Sequence, residues 1–511
     1  MSNSGVIASR VTSWEMQESF ASFSGDRNPM HMDECAARRS QAGRPVVHGI
    51  HTLLWALESL AGSGNLISPP SRIRVKFHKW VYPDDEVTLT LPLKEPVDPR
   101  QLLVAVQGIP VLTAELFYEA NEPGVNKSGA DRPVDGPFSL PPSPASPLTS
   151  ARERSLSDLQ DCAGNAFTPL AAGARVLFPR LTVRLSAQIV AEVAACSYIV
   201  GMEAPGLYSM FSKLDLTLRP AAQPEPPGSG LHYRVSYLDE RFGKARLVVT
   251  GRGVAGTLEV FVRTPPVQQP SMTVIAPHVS PSEFAGMRAL IVGGSRGLGE
   301  LTAKMIAAGG GRPTITYAVG KAEATEVAGQ IRQWGGEIEV LQYDVLRPPE
   351  SQLEGWKAGI THLFYFATNP VSRSKSGLVS SPALNDFIAF YLQGFHDLCL
   401  QLTQPGKPYT IAATKLIVYY PSSVYIGERP AGMTGYAMIK AAGEQMCRDM
   451  TQYLPDIHIL VTRLPRLPTD QTLTIMPERT TDPIPVILPI IRRMQSLAVE
   501  TDSILSFESP A

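Results

Sequence analysis

The chain has 511 residues, more than one compact core accommodates, so at roughly 100–200 residues per domain it divides into several domains and is no single small binding module. Lys and Arg number 46 against 47 Asp and Glu, and a net charge of −1 supplies no electrostatic attraction toward nucleic acid or an anionic membrane. With 44% hydrophobic and 18% charged residues and no apolar run of about 18 residues, the composition is that of a globular protein in water. The N-terminal MSNSGVIASR lacks the basic and apolar segments of a secretory signal, so a cytoplasmic location is expected. Five scattered cysteines (Cys35, Cys162, Cys196, Cys399, Cys447) without a CxxC pair argue against a disulfide framework and against structural zinc; no metal site is expected.

In chain order, the first chemistry lies in residues 20–31, FASFSGDRNPMH, where Asp26 and His31 stand five apart in a stretch rich in Gly, Asn and Pro. Such a turn presents both side chains from one irregular loop, and an acid with an imidazole can hold and deprotonate a water. Taken singly, Asp26 reads equally well as a turn cap and His31 as its satisfied partner. Pro45-Val46-Val47-His48-Gly49 follows, directly before an apolar helix expected over 50–60. Gly49 at that helix start leaves a backbone N–H open to a carbonyl oxygen, which makes it a candidate oxyanion donor. Strands are expected over 72–80, 86–91 and 102–118, so this segment reads as one helix in a curved antiparallel sheet.

Residues 121–150 carry seven prolines and read as a linker. The next segment, 151–265, repeats the pattern of 1–120: a helix over 187–198, then strands over 206–218, 231–238 and 245–262. Its last strand contains Glu259-Val260-Phe261, as the first segment's contains Glu115-Leu116-Phe117, and an internal duplication follows, with two unrelated antiparallel domains as the alternative. The stretch 173–186 before its helix offers neither acid nor histidine, so this half is expected to be inert. A second linker is expected over 266–286. From 287 to 511, strands at 289–292, 314–317, 339–342, 362–366, 415–420 and 458–463 alternate with helical stretches, the mark of a doubly wound parallel sheet.

Ser24-Gly25-Asp26-Arg27-Asn28-Pro29-Met30-His31, followed by Val47-His48-Gly49, resembles the signature of the (R)-specific enoyl-CoA hydratases and dehydratases, the MaoC-like hot-dog proteins. The resemblance implies a double hot-dog region of α+β class, with 1–120 the active half and 151–265 a degenerate one. It also implies that Asp26 and His31 carry the acid–base work, that Asn28 orients the pair, that Gly49 binds a thioester oxygen and that His48 positions the helix start. His51 is read as structural.

In the last segment, Gly293, Gly294, Ser295, Arg296, Gly297, Leu298 and Gly299 lie between a strand and a helix, where glycines allow the backbone to approach a pyrophosphate. Tyr436 and Lys440 share one helix face, and an ammonium there lowers a phenol's pKa; Ser423 ends a strand 13 residues earlier. Together these resemble the short-chain dehydrogenase/reductase family, of α/β Rossmann type. The resemblance implies Tyr436 as proton donor, Lys440 as its tuner and ribose holder, and Ser423 on the substrate oxygen. Cofactor contacts fall to the glycine loop, Asp344, Ala367 and Thr469. Arg296, with no acid closing the second strand at Thr316-Tyr317-Ala318, favours NADP(H) over NAD(H). Two positions depart from the pattern: Tyr391 stands at or near the usual catalytic Asn, and Arg466 replaces a glycine after Pro465.

The two chemistries run consecutively on an acyl-CoA or acyl-carrier-protein thioester: reduction of a 3-oxo group, then dehydration of the (3R)-hydroxyacyl product. The leading expectation is thus a bifunctional reductase and dehydratase of acyl-chain biosynthesis, homo-oligomeric by resemblance. The alternatives are the oxidative direction, from enoyl-CoA hydration to 3-hydroxyacyl oxidation, and an active dehydratase carrying a non-catalytic NADP-binding scaffold.

Overall fold

The computed structural model of the protein describes residues 4–92, 99–118, 144, 146–219, 230–357, 359–371, 379–407, 409–410, 415–472, 479–498 and 507–508. Contacts divide the described residues into two compact units, those up to 265 and those from 266 onward, each described by itself. Most of the stretch 121–150 lies outside the described residues.

The front unit is a ten-stranded antiparallel sheet. Its first half comprises β1 (Ser4–Val11), β2 (Arg72–Phe77), β3 (Glu86–Pro92), β4 (Arg100–Val106) and β5 (Ile109–Phe117); its second comprises β6 (Ala163–Ala166), β7 (Ser209–Leu218), β8 (Leu231–Asp239), β9 (Lys244–Thr250) and β10 (Val254–Val262). The order is β1-β3-β4-β5-β2-β7-β10-β9-β8-β6. Each half reads strand, long helix, four strands, and the two orders mirror each other about the β2·β7 pair, where Ile73 faces Leu216 and Val75 faces Leu214. The duplicated pattern therefore corresponds to two topologically equivalent halves sharing one sheet.

Helices Gly49–Gly62 and Ala187–Tyr198 are the ones the sheet curves around. Both are apolar on nearly every side; Ile50, Leu53, Leu54, Val190, Ala194 and Cys196 are all buried in one core, as expected of a helix with no solvent face. The expected strand 102–118 is two strands. Gln107 (φ 49°) and Gly108 (φ 76°) form a two-residue turn between Val106 and Ile109, a positive-φ pair that matches strand twist in a tight hairpin. The expected strand 245–262 splits likewise into β9 and β10, and β1 was not anticipated.

The rear unit is a seven-stranded parallel sheet: β11 (Arg288–Val292), β12 (Arg312–Tyr317), β13 (Glu339–Gln342), β14 (His362–Tyr365), β15 (Leu416–Ser423), β16 (Ile457–Leu464) and β17 (Phe507–Glu508). The order β13-β12-β11-β14-β15-β16-β17 is doubly wound and reverses direction between β11 and β14. Successive strand residues enter opposite cores: Ala289 and Ile291 pack on one face, Leu290 and Val292 on the other. Burial on both faces explains the unbroken apolar runs. The stretch 266–286, expected as a linker, instead contributes Met272, Ile275, Val279 and Phe284 to this unit's core. Among the described residues no helix is long and apolar enough to cross a membrane.

Candidate functional site

The front site is built from two helix ends. Helix Trp14–Ser24 stops at Gly25, whose φ of 78° is left-handed, a conformation glycine adopts without penalty. Asn28 then caps the short helix Pro29–Met32, its side chain accepting from Met30 N, with Pro29 in the first turn. Asp26 is thereby held between two caps, and His31 lies in the helical turn that follows.

Asp26 is 1% exposed. One carboxylate oxygen, Oδ1, accepts from Asn28 N at 3.2 Å, and Oδ2 accepts from Ser197 Oγ at 2.6 Å. Burial raises its pKa, opposed by the charge of His31 and by the Ser197 and Asn28 bonds. His31 Nδ1 lies 2.7 Å from Val46 O; a carbonyl only accepts, so Nδ1 carries the proton and Nε2 the free lone pair. Burial lowers the pKa of His31, with Asp26 acting the other way. The His48 ring stacks on His31 at 3.9 Å, and its Nε2 lies 2.9 Å from Asp26 O and its Nδ1 3.2 Å from Gln17 Oε1. Gln17 Nε2 donates in turn to Val46 O at 2.6 Å and to His31 O at 3.1 Å.

One atom each of Asp26, His31 and His48 falls within 4.8 Å of the others. Both nitrogens of His48 face protein oxygens, Gln17 Oε1 and Asp26 O, which fix its ring against His31. Gly49 opens helix 49–62, and its N–H has no backbone acceptor among the described residues. A Cβ there would lie 2.8 Å from the Phe77 ring, so any larger residue would have to displace that ring. Asp26, His31, Gly49 and Ser197 line one pocket with the apolar Phe77 and Phe211. His51 stacks on Phe20 at 4.8 Å, away from this wall.

The second half, expected to lack an acid–base pair of its own, supports that of the first: Ser197 binds the Asp26 carboxylate and Gly201 makes room for it, since a Cβ at Gly201 would sit 2.3 Å from Asp26 Oδ1. Asn28 does not direct its side chain at the acid–base pair; Nδ2 donates to Gly201 O at 2.7 Å and Gly206 O at 3.0 Å, fastening the loop to the other half. Its backbone N–H alone touches Asp26. Nothing in the sequence pairs Ser197 with a residue 171 positions earlier; the one usable signal was the repeated helix, whose end must meet the loop of its partner half.

In the rear unit the glycine loop turns tightly. Gly293 (φ 78°) donates to Thr316 Oγ1 at 3.1 Å, and a Cβ at Gly299 would meet Gly293 O at 2.3 Å. Helix Gly297–Ala308 starts at Arg296 with no side-chain cap, leaving N–H donors for an anion. These features fit a dinucleotide pyrophosphate. Ser295 is buried, Leu298 packs on the core, and Ala367 N lies 3.0 Å from where a Cβ of Gly293 would be. Thr469 approaches Gly297, its methyl 3.8 Å from the corresponding Cβ position. Arg296 Nη1 lies 3.2 Å from Asp470 Oδ2. Asp344 uses Oδ1 to accept from Leu346 N at 3.0 Å, capping its own turn.

Ser423 Oγ accepts from Tyr425 N at 3.2 Å, and Lys440 Nζ donates to Pro421 O at 2.7 Å. The expected lowering of the Tyr436 pKa is not found: burial pushes it up to about 12, and burial brings Lys440 down to about 7, so much of the ammonium charge that would act on the phenol is lost. Lys440 Nζ lies 4.2 Å from the Tyr391 ring centroid, 5.0 Å from Tyr420 and 5.8 Å from Tyr436. Tyr391 sits in a π-helical turn, Ala389–Gln393; its hydroxyl bonds Thr368 Oγ1 and its carbonyl accepts from Tyr420 Oη at 3.1 Å. Arg466 Nη2 donates to Thr472 O at 2.6 Å.

Solved structures similar to this chain include the 3-ketoacyl-(acyl-carrier-protein) reductase from Brucella melitensis complexed with NADH, at 17% identity over 44% of this chain and 98% of that one, TM-score 0.38. A short chain dehydrogenase from Burkholderia cenocepacia in complex with NADP is 20% identical over 42% of this chain and 94% of its own, TM-score 0.35. The 3-oxoacyl (acyl-carrier-protein) reductase from Agrobacterium tumefaciens with NADP bound is 21% identical over 36% and 72%, TM-score 0.32. No curated protein matches the chain. The family described as MaoC like domain matches residues 6–109, a span that holds Asp26, His31 and Gly49. Residues 6–109 are therefore a MaoC-like dehydratase domain.

Proposed function

We propose that the protein is a bifunctional enzyme of acyl-chain biosynthesis, reducing a 3-oxoacyl thioester and dehydrating the (3R)-hydroxyacyl product. The observation that carries the dehydratase half is the pairing of a buried acid, its pKa raised, with a half-buried imidazole, its pKa lowered, lining one pocket. Opposite shifts in adjacent groups separate acid from base. His31 Nε2 takes the proton from C2, the C3–O bond breaks, and Asp26 gives its proton to the departing hydroxyl, which leaves as water. Proton return from His31 to Asp26 resets the pair. Gly49 N–H, at a helix N-terminus, stabilises the enolate oxygen formed in between.

For the reductase half, the support is Ser423 at the end of β15, Tyr436 and Lys440 together on helix Thr434–Tyr453 with Lys440 Nζ 5.8 Å from the Tyr436 ring, and the uncapped glycine-loop helix at the strand-order reversal. NADPH, when bound, supplies the hydride. Ser423 and Tyr436 hold the 3-oxo oxygen, and Tyr436 delivers a proton to it. Gly293, Gly297 and Gly299 let the backbone approach the pyrophosphate, and Ser295, Leu298, Ala367 and Thr469 flank it; Asp344 is placed by resemblance at the adenine. The lack of an acid after β12, with Arg296 in the loop, favours NADP(H).

A second reading, an active dehydratase with a rear unit that binds NADP(H) without turnover, is favoured by Tyr391 and by the Tyr420 bond that occupies its carbonyl. One coupled assay decides between them: a 3-oxoacyl thioester with NADPH, following NADPH loss and enoyl product together. The bifunctional reading expects both in wild type, no NADPH loss with Tyr436→Phe, and NADPH loss without enoyl product with Asp26→Asn. Dehydration of a supplied 3-hydroxyacyl thioester by a wild type that never consumes NADPH would establish the second reading.

A further inference from the structure

The segment after β16 reaches across the carboxyl ends of β11 and β14, the adjacent strands where the strand order reverses. On the β11 side, Asp470 Oδ2 is 3.2 Å from Arg296 Nη1 in the glycine loop, and Thr469 lies against Gly297. On the β14 side, Gln471 Nε2 donates to Thr368 Oγ1 at 2.8 Å and to Asn369 O at 2.9 Å. The segment is itself braced. Thr469 N donates to Thr472 Oγ1 at 2.9 Å, Arg466 donates to Thr472 O, Gln269 Nε2 donates to Pro468 O at 3.0 Å, and Asp470 Oδ1 accepts from Val267 N at 3.1 Å. Arg466, the departure from glycine, is thus one of the residues that shape this turn.

Asp470 is 10% exposed in its side chain and Arg296 27%, so their pairing is shielded enough to compete with a ligand. A carboxylate on that guanidinium occupies the contact that the resemblance assigns to the cofactor's 2′-phosphate. Building on the proposed NADP site, we infer that Asp470 is a specificity-determining residue: its carboxylate stands on Arg296 as an internal substitute for that phosphate, and Gln471 latches the same segment to the opposite strand end. A dinucleotide entering the crevice must release the Gln471 bonds, and one bearing a 2′-phosphate must also displace Asp470. The phosphate repays that displacement through Arg296 with its two negative charges; a ribose hydroxyl does not. The apparent dissociation constant is the intrinsic one divided by the fraction of molecules with the latch open.

The test is direct binding, read by NADPH and NADH fluorescence titration of the full-length protein, without turnover. Asp470→Asn removes the carboxylate from Arg296, and NADPH should bind about tenfold more tightly in a shielded site of this kind while NADH gains less, so the ratio of affinities rises. Gln471→Ala opens the latch without touching Arg296; both cofactors should tighten together and the ratio should stay put. An Asp470→Asn protein of unchanged melting temperature whose NADPH affinity falls or does not move overturns the inference, as does an equal gain for both cofactors. Failure of wild type and both variants to bind either nucleotide overturns the dinucleotide reading of the rear unit itself.

Discussion

Replacing Gly201 by alanine tests whether the second half of the front unit places the catalytic acid. The new Cβ would lie 2.3 Å from Asp26 Oδ1 and 2.7 Å from Cγ and Oδ2, where ordinary contact begins near 3.4 Å. Either the carboxylate retreats by about 1 Å or the π-helical turn Ile199–Glu203 moves back. Retreat stretches the 2.6 Å Ser197 bond beyond useful length, and movement of the turn disturbs the 2.7 Å bond from Asn28 to Gly201 O. A misplacement of about 1 Å at a catalytic group costs about 100-fold, equivalent to about 2.7 kcal/mol of transition-state stabilisation. The assay is hydration of crotonyl-CoA under kcat/KM conditions, with circular dichroism and a thermal melt to verify folding. A folded Gly201→Ala protein with wild-type kcat/KM would refute the placement of Asp26 against this turn.

Ser197→Ala removes a donor that favours the ionised Asp26, so the acid–base pair, which titrates as a unit, should shift its apparent pKa values upward. The pH–rate profile of hydration then moves toward higher pH, and an unmoved profile counts against the bond. Lys440→Met probes the rear cluster through stability. The native pKa of about 7 lies below the unfolded value of 10.5, so the unfolded chain binds the extra proton between these limits. Wild-type stability should fall as pH drops from about 10 to about 7 and change no further from this group below that. The Met variant should melt above wild type near neutral pH, with the difference closing as pH rises; a gap independent of pH rejects a neutralised Lys440.

Local physics made much of this protein readable from residues alone. The turn-and-cap chemistry of Gly25, Asn28 and Pro29 and the helix start at Gly49 are short-range, so the loop carrying Asp26 and His31 could be placed before any fold was known. The all-apolar helices and the strand–helix alternation after residue 287 are burial patterns, and burial pattern is what separates a helix wrapped by a sheet from a sheet covered by helices. The hairpin at Gln107-Gly108 lies inside a long β-rich run in which a single glycine marks the turn; the one between β9 and β10 is marked by Gly251 and Gly253, but the apolar, β-branched residues on both sides read as one continuous strand.

Contacts between distant segments belong to the tertiary structure. Ser197 on Asp26, Gly201 beneath the carboxylate, and Asn28 reaching to the other half span 171 to 178 positions and arise because β2 and β7 join two equivalent halves in one sheet. The ionisation of Tyr436 and Lys440 was likewise undecided until packing set it: spacing on a helix brings the two groups near, but the surrounding rings of Tyr391 and Tyr420 remove water from them. Sequence carries which groups are available and how neighbours along the chain are oriented. Desolvation and partners across the fold, which depend on every element at once, decide what those groups can do.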